Sequence, residues 1–303
     1  MTTSYGLIHS PVVPFAADRS IDYATFERVI AFHLAHGADA LAVPMHVAES
    51  VSLSDIEQRE VLAFVMRQVG TRVPVLAHTS DSGTVIAADR ARHAESLGVA
   101  AIIATVPYYW SPPQPMVLEH LATIGAAVSI PYLAWNCPGD MGNKGVSLDI
   151  ACKLADRLPN FAGVVDSSLD WQYMIDLLRM AQGLKRPFGM ISGTDYMVSS
   201  GAVGGRAVVS ELAGVAPRLA RTLHDLCVAE KYFDARAAQE RMAAVRQAVR
   251  APGVAGLKSA LRLLGRDCGP VRQPVPVAQA ADEARLAAEL ERIGILRDEP
   301  RGW

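Results

Sequence analysis

Several features that mark particular classes of protein are scarce in this chain of 303 residues. Basic residues number 29 and acidic residues 31, so the net charge is only −2, and no run of lysine or arginine stands out. This balance gives no reason to expect a nucleic acid or an anionic membrane surface as a partner. No apolar stretch approaches the roughly 18 consecutive residues that cross a bilayer, so we do not expect a membrane protein.

Cysteine is also sparse, and the four residues are isolated: Cys137, Cys152, Cys227 and Cys268. They lack the paired spacing of a zinc site, and reduced thiols are the simpler interpretation. The polar start of the chain leads into a short apolar run broken by His9 and two prolines, which is unlike a signal peptide. We therefore predict a cytoplasmic protein that needs neither a metal nor another cofactor.

Hydrophobic residues, by contrast, make up half of the chain, and they recur in short runs typical of buried parallel strands. Eight such runs cover residues 6–15, 40–46, 73–80, 100–109, 131–138, 161–168, 188–195 and 205–211. A segment with helical periodicity follows each run, as in repeated strand–helix units. Eight such units predict an α/β fold, a (β/α)8 TIM barrel of about 250 residues with additional helices.

Helix signals support this alternation and place the additional helices at the C-terminus. Residues 21–36 carry an apolar face that ends before Gly37, and Ser54 and Glu57 have the spacing of a capping box. Beyond the eighth strand, residues 216–230, 233–250, 254–264 and 280–293 also have helical signals. We predict one domain, with the barrel over residues 1–230 and a C-terminal helical extension over residues 231–303.

Polar and aromatic side chains collect where the predicted strands end, which is the face that carries the chemistry in barrels of this kind. The candidates are His46, Glu49, His78, Tyr108, Tyr109, Trp135, Asn136, Asp140, Asp166, Asp195 and, beside the eighth strand, Arg206. Each also has a structural interpretation: Asp166, for example, could cap the next helix, and the tyrosines could pack in the core or an interface. Because so many converge on one face, we expect a ligand-binding or active site there.

Short motifs also follow one another along the chain in a recognisable order. They include residues 11–15 (PVVPF), 107–109 (PYY), 136–138 (NCP), 163–168 (GVVDSS), 192–195 (SGTD), 201–204 (GAVG) and 269–274 (GPVRQP). This order resembles the dihydrodipicolinate synthase / N-acetylneuraminate lyase family over essentially the whole chain. The resemblance implies the same barrel and a lyase that acts on a 2-oxo acid.

Departures from the family pattern fall on the residues that would carry its chemistry. Val165 stands where the family has the lysine that forms a Schiff base, and valine has no amine with which to form an imine. Trp135 replaces a proton-shuttling tyrosine, and an indole N–H cannot take up a proton as a phenolate would. His46 and Val47 replace two threonines that hold the substrate carboxylate. In the synthase branch an arginine that binds a carboxylate occupies the position of Asp140.

Another lysine could in principle take over the covalent chemistry. The chain has only five, Lys144, Lys153, Lys185, Lys231 and Lys258. Lys144 alone follows a predicted strand on the catalytic face. An amine in a flexible loop stays mostly protonated and is a poor nucleophile, so we do not expect Lys144 to act covalently.

The favoured hypothesis is therefore a lyase, hydratase or isomerase that acts on a small oxo or hydroxy acid without a Schiff base. His46 would be the general acid/base, because imidazole titrates near neutral pH, and Glu49 or Asp166 would orient it. Arg206 would hold the carboxylate of the ligand. The predicted catalytic residues are His46, Glu49, Tyr109 and Asp166, and the predicted substrate-binding residues are His78, Tyr108, Trp135, Asn136, Asp140, Asp195 and Arg206.

Two alternatives stay open at this point. One is a metal-dependent variant in which His46, His78 and either Glu49 or Asp166 bind a divalent ion, although no ligand motif of fixed spacing is present. The other is a binding or regulatory protein that kept the barrel and lost the chemistry. The resemblance further implies a homo-oligomer, a dimer or tetramer, in which Tyr109 aligns with a tyrosine that reaches across the dimer interface.

Overall fold

Eight parallel strands close into a barrel in the computed structural model, which describes residues 5–108, 112–250 and 253–303. The strands are β1 (Leu7–His9), β2 (Ala40–Val43), β3 (Val75–His78), β4 (Ala101–Thr105), β5 (Tyr132–Asn136), β6 (Phe161–Asp166), β7 (Gly189–Ser192) and β8 (Ala207–Ser210). Each strand pairs with its neighbours in chain order, and β8 pairs with β1 from Leu7 opposite Val208 to His9 opposite Ser210. The predicted TIM barrel is confirmed.

Helices alternate with the strands, and further helices follow β8. They are α1 (Tyr23–Ala35), α2 (Asp55–Val69), α3 (Thr84–Ser96), α4 (Gln114–Ala126), α5 (Leu148–Arg157), α6 (Trp171–Gln182), α7 (Met197–Ala202), α8 (Pro217–Val228), α9 (Tyr232–Arg250), α10 (Val254–Leu263), α11 (Ala280–Ile293) and α12 (Ile295–Asp298). The predicted capping box opens α2, because the Ser54 hydroxyl accepts from the backbone N–H of Glu57 and the Glu57 carboxylate accepts from that of Ser54. Within the described residues, no helix has both the length and the hydropathy that a membrane crossing requires.

Two apolar layers follow from the alternation of side chains along each strand. Val165, Ile191 and Val209 belong to a buried cluster inside the barrel. Their neighbours Val164 and Val208 belong to the larger cluster between the strands and the surrounding helices. At the end of β6, Val165 therefore faces the barrel axis, and the next residue of the strand faces the helix layer.

The helices that follow β8 pack on the barrel as well as on one another. α9 contacts α8, α10 and α11, and α10 contacts α11. Side chains of α9 and α10 also approach the loops at the C-terminal ends of the strands. The C-terminal extension consequently forms part of the surroundings of the catalytic face.

Candidate active site

Two neighbouring cavities lie at the C-terminal face of the barrel. The first, called here the charged cavity, has a volume of about 430 Å³, and Glu211, Arg246 and Arg250 contribute to its wall. The second, called here the neutral cavity, has a volume of about 320 Å³, and its wall contains His78 and Tyr108. Both volumes are typical of small-molecule sites. The two cavities share three lining residues, His46, Trp135 and Asp140.

Arg246 is the principal cation of the charged cavity. Its Nη1 lies 3.7 Å from Oε2 of Glu211 and 3.8 Å from Oδ2 of Asp195, so it forms ion pairs that are longer than hydrogen bonds. Its guanidinium lies 5.9 Å from the centre of the Tyr196 ring. A guanidinium presents five N–H donors, and a carboxylate is the group that matches two of them at once.

Glu211 and His46 supply groups for proton transfer in the same cavity. His46 begins a 3-10 turn, His46–Ala48, directly after β2, and its side chain is exposed. Burial raises the pKa of Glu211, while the charges of Arg246 and His46 oppose that rise. Cys137 also lines the cavity, but burial raises the pKa of its thiol to about 12, so it is not a nucleophile near neutral pH.

His78 gives the neutral cavity its distinctive acceptor. Its Nδ1 lies 2.9 Å from the carbonyl oxygen of Pro44, and because a carbonyl only accepts, Nδ1 carries the proton. Burial lowers the pKa of His78 to about 4, so the ring is neutral near pH 7. Its Nε2 therefore holds a lone pair, and this buried atom has no hydrogen-bond partner among the described residues.

Trp135 is held firmly between the two cavities. Its Nε1 donates to Oγ of Ser167 at 3.0 Å, and that hydroxyl donates to the carbonyl of Gly193 at 3.1 Å. The indole meets the His78 ring edge-to-face, with 5.5 Å between ring centres. These contacts fix the position of the indole plane.

Glu49 lies outside both cavities. It is buried, and its Oε1 lies 2.8 Å from Nζ of Lys258, while its Oε2 accepts from the backbone N–H of Arg272 at 2.7 Å. Lys258 is buried too; it donates to the carbonyl of Pro270 and lies over the Phe15 ring. Glu49 closes the turn that begins at His46, but its carboxylate is committed to the buried ion pair with the C-terminal extension and makes no bond with the His46 side chain.

Asn136 and Asp166 face away from the cavities, as the alternation along β5 and β6 dictates. The amide of Asn136 donates to Oδ1 of Asp166 at 2.7 Å, and its carbonyl accepts from the backbone N–H of Val146. Ser168 donates to the other oxygen of Asp166, whose pKa is raised by burial. The two side chains join the ends of neighbouring strands and contribute nothing to the cavity walls.

Asp195 and Arg206 are also absent from the cavity walls. Asp195 is buried behind Arg246 and accepts a hydrogen bond from the Ser210 hydroxyl. Arg206 precedes β8 and so lies at the N-terminal end of that strand, opposite the catalytic face. There it forms an exposed ion pair with Glu230. The carboxylate-binding role expected of Arg206 has no geometric support.

Two further predicted residues do lie in the cavity walls. Tyr108 lines the neutral cavity and is partly exposed, and Asp140 lines both cavities. Lys144 is half-buried and lines neither cavity. Tyr109 lies outside the described residues. Nowhere in the described ranges do three His, Cys, Asp or Glu side chains assemble to hold a metal ion, so the combination of His46 and His78 with Glu49 or Asp166 is not brought together.

Comparison with known proteins agrees with the motif order. The model of the dihydrodipicolinate synthetase family matches residues 3–293. The chain belongs to this family.

Curated relatives extend the likeness over nearly the full length of the family fold. A 4-hydroxy-tetrahydrodipicolinate synthase of Rhizobium meliloti is 31% identical over 294 residues, which cover 96% of this chain and 99% of the relative. An uncharacterised DapA-like lyase of Halobacterium salinarum is 32% identical and matches 96% of this chain and 95% of its own length.

Solved structures of family members superpose closely. The chloride-inhibited dihydrodipicolinate synthase of Acinetobacter baumannii, complexed with pyruvate, gives a TM-score of 0.89 at 25% identity and covers 96% of this chain and 99% of its own. YagE of E. coli K12, also in complex with pyruvate, gives 0.89 at 22% identity, with 96% and 98% coverage. At that identity the YagE likeness shows the fold alone.

Val165, which the motif order predicts to stand at the position of the family's Schiff-base lysine, is fully buried in an apolar setting. Val165 lies between Trp135 on β5 and Ile191 on β7 in the strand register. None of the five lysines lines either cavity. Lys258 is the most buried of them, and its amine is paired with Glu49.

Sequence reasoning missed Arg246 and Glu211 as cavity residues. Arg246 lies one turn from Met242 and from Val249, both buried on the inner face of α9. An arginine inserted into an otherwise buried helix face was the available signal. Glu211 directly follows β8 at its C-terminal end, and this position, at the opposite end of the strand from Arg206, was the signal available for it.

Proposed function

We propose that this family member binds a small oxo or hydroxy acid in the charged cavity and acts on it by acid–base chemistry without a Schiff base. The observation that carries the proposal is the lining of that cavity, which combines His46, Glu211 and Arg246 and includes no lysine. The solved dihydrodipicolinate synthase of Acinetobacter baumannii is complexed with pyruvate, a 2-oxo acid, which supports this class of ligand.

Arg246 is the proposed carboxylate-binding residue. It makes two long ion pairs and no hydrogen bond with the described residues, so its N–H groups are available to a ligand. The nearby carboxylates of Asp195 and Glu211 hold the guanidinium in place without occupying it. A bidentate pair with a ligand carboxylate would fix the orientation of the reacting carbon.

His46 is the proposed base. Its imidazole removes a proton from the carbon next to the carbonyl of a bound 2-oxo acid, and the electron pair moves to the carbonyl oxygen. Glu211 is suited to give that oxygen a proton, because burial raises its pKa and keeps the protonated form accessible. Glu211 thus takes the place beside His46 that the sequence suggested for Glu49 or Asp166.

The proton-transfer step can be tested without knowing the physiological substrate. Pyruvate and 2-oxobutanoate are incubated with the protein in D2O, and loss of the C3 proton signal is followed by NMR. We expect the wild type to accelerate exchange and His46→Gln to lower the rate by about 100-fold or more, the usual contribution of a general base. An unchanged rate in His46→Gln would remove this residue from the mechanism.

Arg206 provides a matched control for Arg246. Arg246→Gln should weaken the apparent affinity for the acid by about tenfold or more, since it removes a charge-assisted pair. Arg206→Gln changes an exposed arginine outside the cavity and should leave exchange unaltered. Equal effects of the two substitutions on affinity would contradict the assignment of Arg246. If the wild type binds the acid but does not accelerate exchange of its C3 proton, the non-catalytic alternative is favoured.

The absence of an imine is tested separately by borohydride reduction in the presence of pyruvate. Mass spectrometry of the wild type should show no adduct, while an active synthase treated in parallel is labelled. An adduct on Lys144, Lys258 or any other lysine would restore covalent chemistry and overturn this part of the proposal.

A further inference from the structure

The neutral cavity has a lining that suits a different part of a ligand from the charged cavity. The residues that belong to it alone are uncharged near neutral pH, and they include the apolar Val51 and Met141 as well as the hydroxyl-bearing Ser80 and Thr105. Asp140 at the shared border adds a negative charge that disfavours a second carboxylate. A polar but uncharged group is therefore the natural occupant.

His78 determines which polar group fits. Its Nδ1–H is already given to the carbonyl of Pro44, so Nε2 can only accept. A buried acceptor without a partner is unfavourable, and a ligand that brings a donor to it gains affinity over one that does not. A ligand with another acceptor in that place meets a lone pair and is disfavoured.

Trp135 makes the two cavities parts of one site. It lines both, together with His46 and Asp140, and its hydrogen bond to Ser167 holds it at their border. A ligand that occupied both cavities would cross the border at Trp135, with one end at Arg246 and the other at His78. The catalytic His46 lies on the wall common to both compartments.

We propose that the substrate is a two-part molecule: a carboxylate bound at Arg246, and a distal uncharged group that donates a hydrogen bond to Nε2 of His78. A terminal hydroxyl or an amide N–H has this chemistry, whereas a terminal methyl or carboxylate does not. The inference rests on the proposed carboxylate-binding function of the charged cavity. It makes Trp135 and His78 the residues that set specificity.

The test compares matched 2-hydroxy acids by isothermal titration calorimetry at pH 7.5. Two pairs differ only by a terminal hydroxyl in place of a methyl: 2,5-dihydroxypentanoate with 2-hydroxyhexanoate, and 2,6-dihydroxyhexanoate with 2-hydroxyheptanoate. Lactate fills the carboxylate end alone, and 2-hydroxyglutarate carries a terminal carboxylate. In at least one pair the wild type should bind the hydroxylated acid about tenfold more tightly, and 2-hydroxyglutarate should bind more weakly than that acid.

His78→Phe removes the acceptor and keeps an aromatic ring in the same place. This variant should lose the preference for the terminal hydroxyl, measured as the ratio of the two affinities within each pair. His78→Gln keeps an acceptor oxygen and should restore part of the preference. If His78→Phe fails to fold, the affinities of the wild type for the two acids of each pair still decide whether the site prefers a terminal hydroxyl.

The outcomes separate this inference from the proposed function. No hydroxyl preference in either pair, or a preference that persists in His78→Phe, overturns the two-part substrate. If lactate nevertheless binds in an Arg246-dependent manner, the proposed function of the charged cavity still stands. If no acid binds at all, both fail together.

Discussion

At the scale of single residues, Asp195 shows how burial of one carboxyl group connects the site to stability. Its side chain is almost fully buried, and one oxygen accepts from Ser210 while the other faces Arg246 at 3.8 Å. Burial raises its pKa from the ordinary 3.8 to about 6, and the charge of Arg246 opposes the rise. Between about pH 4 and pH 6, the Asp195 carboxyl group is therefore protonated in the folded protein but already ionised in the unfolded chain.

This difference in proton binding predicts the pH dependence of an Asp195→Asn variant. Where the folded state binds more protons than the unfolded state, the free energy of unfolding falls as the pH rises. The amide that replaces the carboxyl group cannot titrate, so the variant should gain stability relative to the wild type between pH 4 and pH 7, by on the order of 3 kcal/mol. Urea unfolding of both proteins at several pH values in this interval measures the difference, and parallel pH profiles would contradict the prediction.

At the scale of strands and helices, close backbone packing between β6 and β7 fixes the direction in which each side chain faces. Gly163 in β6 lies opposite Gly189 in β7, and a Cβ atom at Gly163 would overlap the carbonyl oxygen of Gly189. The register that results carries Val165 to the interior and Asp166 to the helix layer. The lack of a side chain at Gly163 therefore helps to set the direction in which the side chains at the end of β6 face.

Gly163→Ala should accordingly separate the two strands and destabilise the barrel. Overpacking against a rigid backbone costs about 1–3 kcal/mol or more, and here the obstructing atom is itself part of the sheet. Gly139→Ala is a suitable control, because a Cβ there meets nothing within 4 Å. Thermal unfolding followed by circular dichroism should show a lower melting temperature for Gly163→Ala, but not for Gly139→Ala, than for the wild type. Equal melting temperatures of all three proteins would mean that the two strands accommodate the added methyl group without loss of stability.

The same elements show what the sequence could and could not reveal. The starts of all eight strands lie within two residues of the predicted starts, since apolar runs mark buried strands well. Their ends were predicted too far along the chain, because the apolar runs continue into buried loops. Asn136 and Asp166 do end β5 and β6, as expected, but side chains alternate along a strand and these two face the helix layer instead of the barrel interior. Arg246 interrupts the buried face of α9, which marks it in the sequence, but only the tertiary packing of α9 shows which cavity that face covers.

At the scale of the whole molecule, the ion pair between Glu49 and Lys258 joins the loop after β2 to α10. Both side chains are almost completely buried, and Lys258 lies 4.2 Å from the centre of the Phe15 ring. Arg272 strengthens the same connection with two hydrogen bonds to the Glu57 carboxylate, at 2.8 and 2.6 Å, near the start of α2. The C-terminal extension is therefore bonded to the half of the barrel that carries His46.

Removing one partner of this pair should be far more harmful than removing both. Lys258→Met leaves Glu49 buried without its countercharge and should lower the free energy of unfolding by about 3–5 kcal/mol. The double variant Glu49→Gln with Lys258→Met should recover a large part of that loss. Arg206→Met, which breaks only an exposed pair, should change stability by less than about 1 kcal/mol. Urea unfolding of the wild type, both single variants, the double variant and Arg206→Met provides the comparison, and additive effects of Glu49→Gln and Lys258→Met would exclude the proposed coupling.

The bond from Arg272 to Glu49 also has a consequence for the order of events during synthesis. The two residues are 223 positions apart in the chain. At about 5–20 residues per second, a ribosome needs roughly ten to forty-five seconds between them. All eight strands have been translated before that interval ends, yet the buried carboxylate in the loop that carries His46 is not neutralised until α10 and Arg272 have been made. The nascent barrel can therefore complete this face only after Arg272 has left the ribosome.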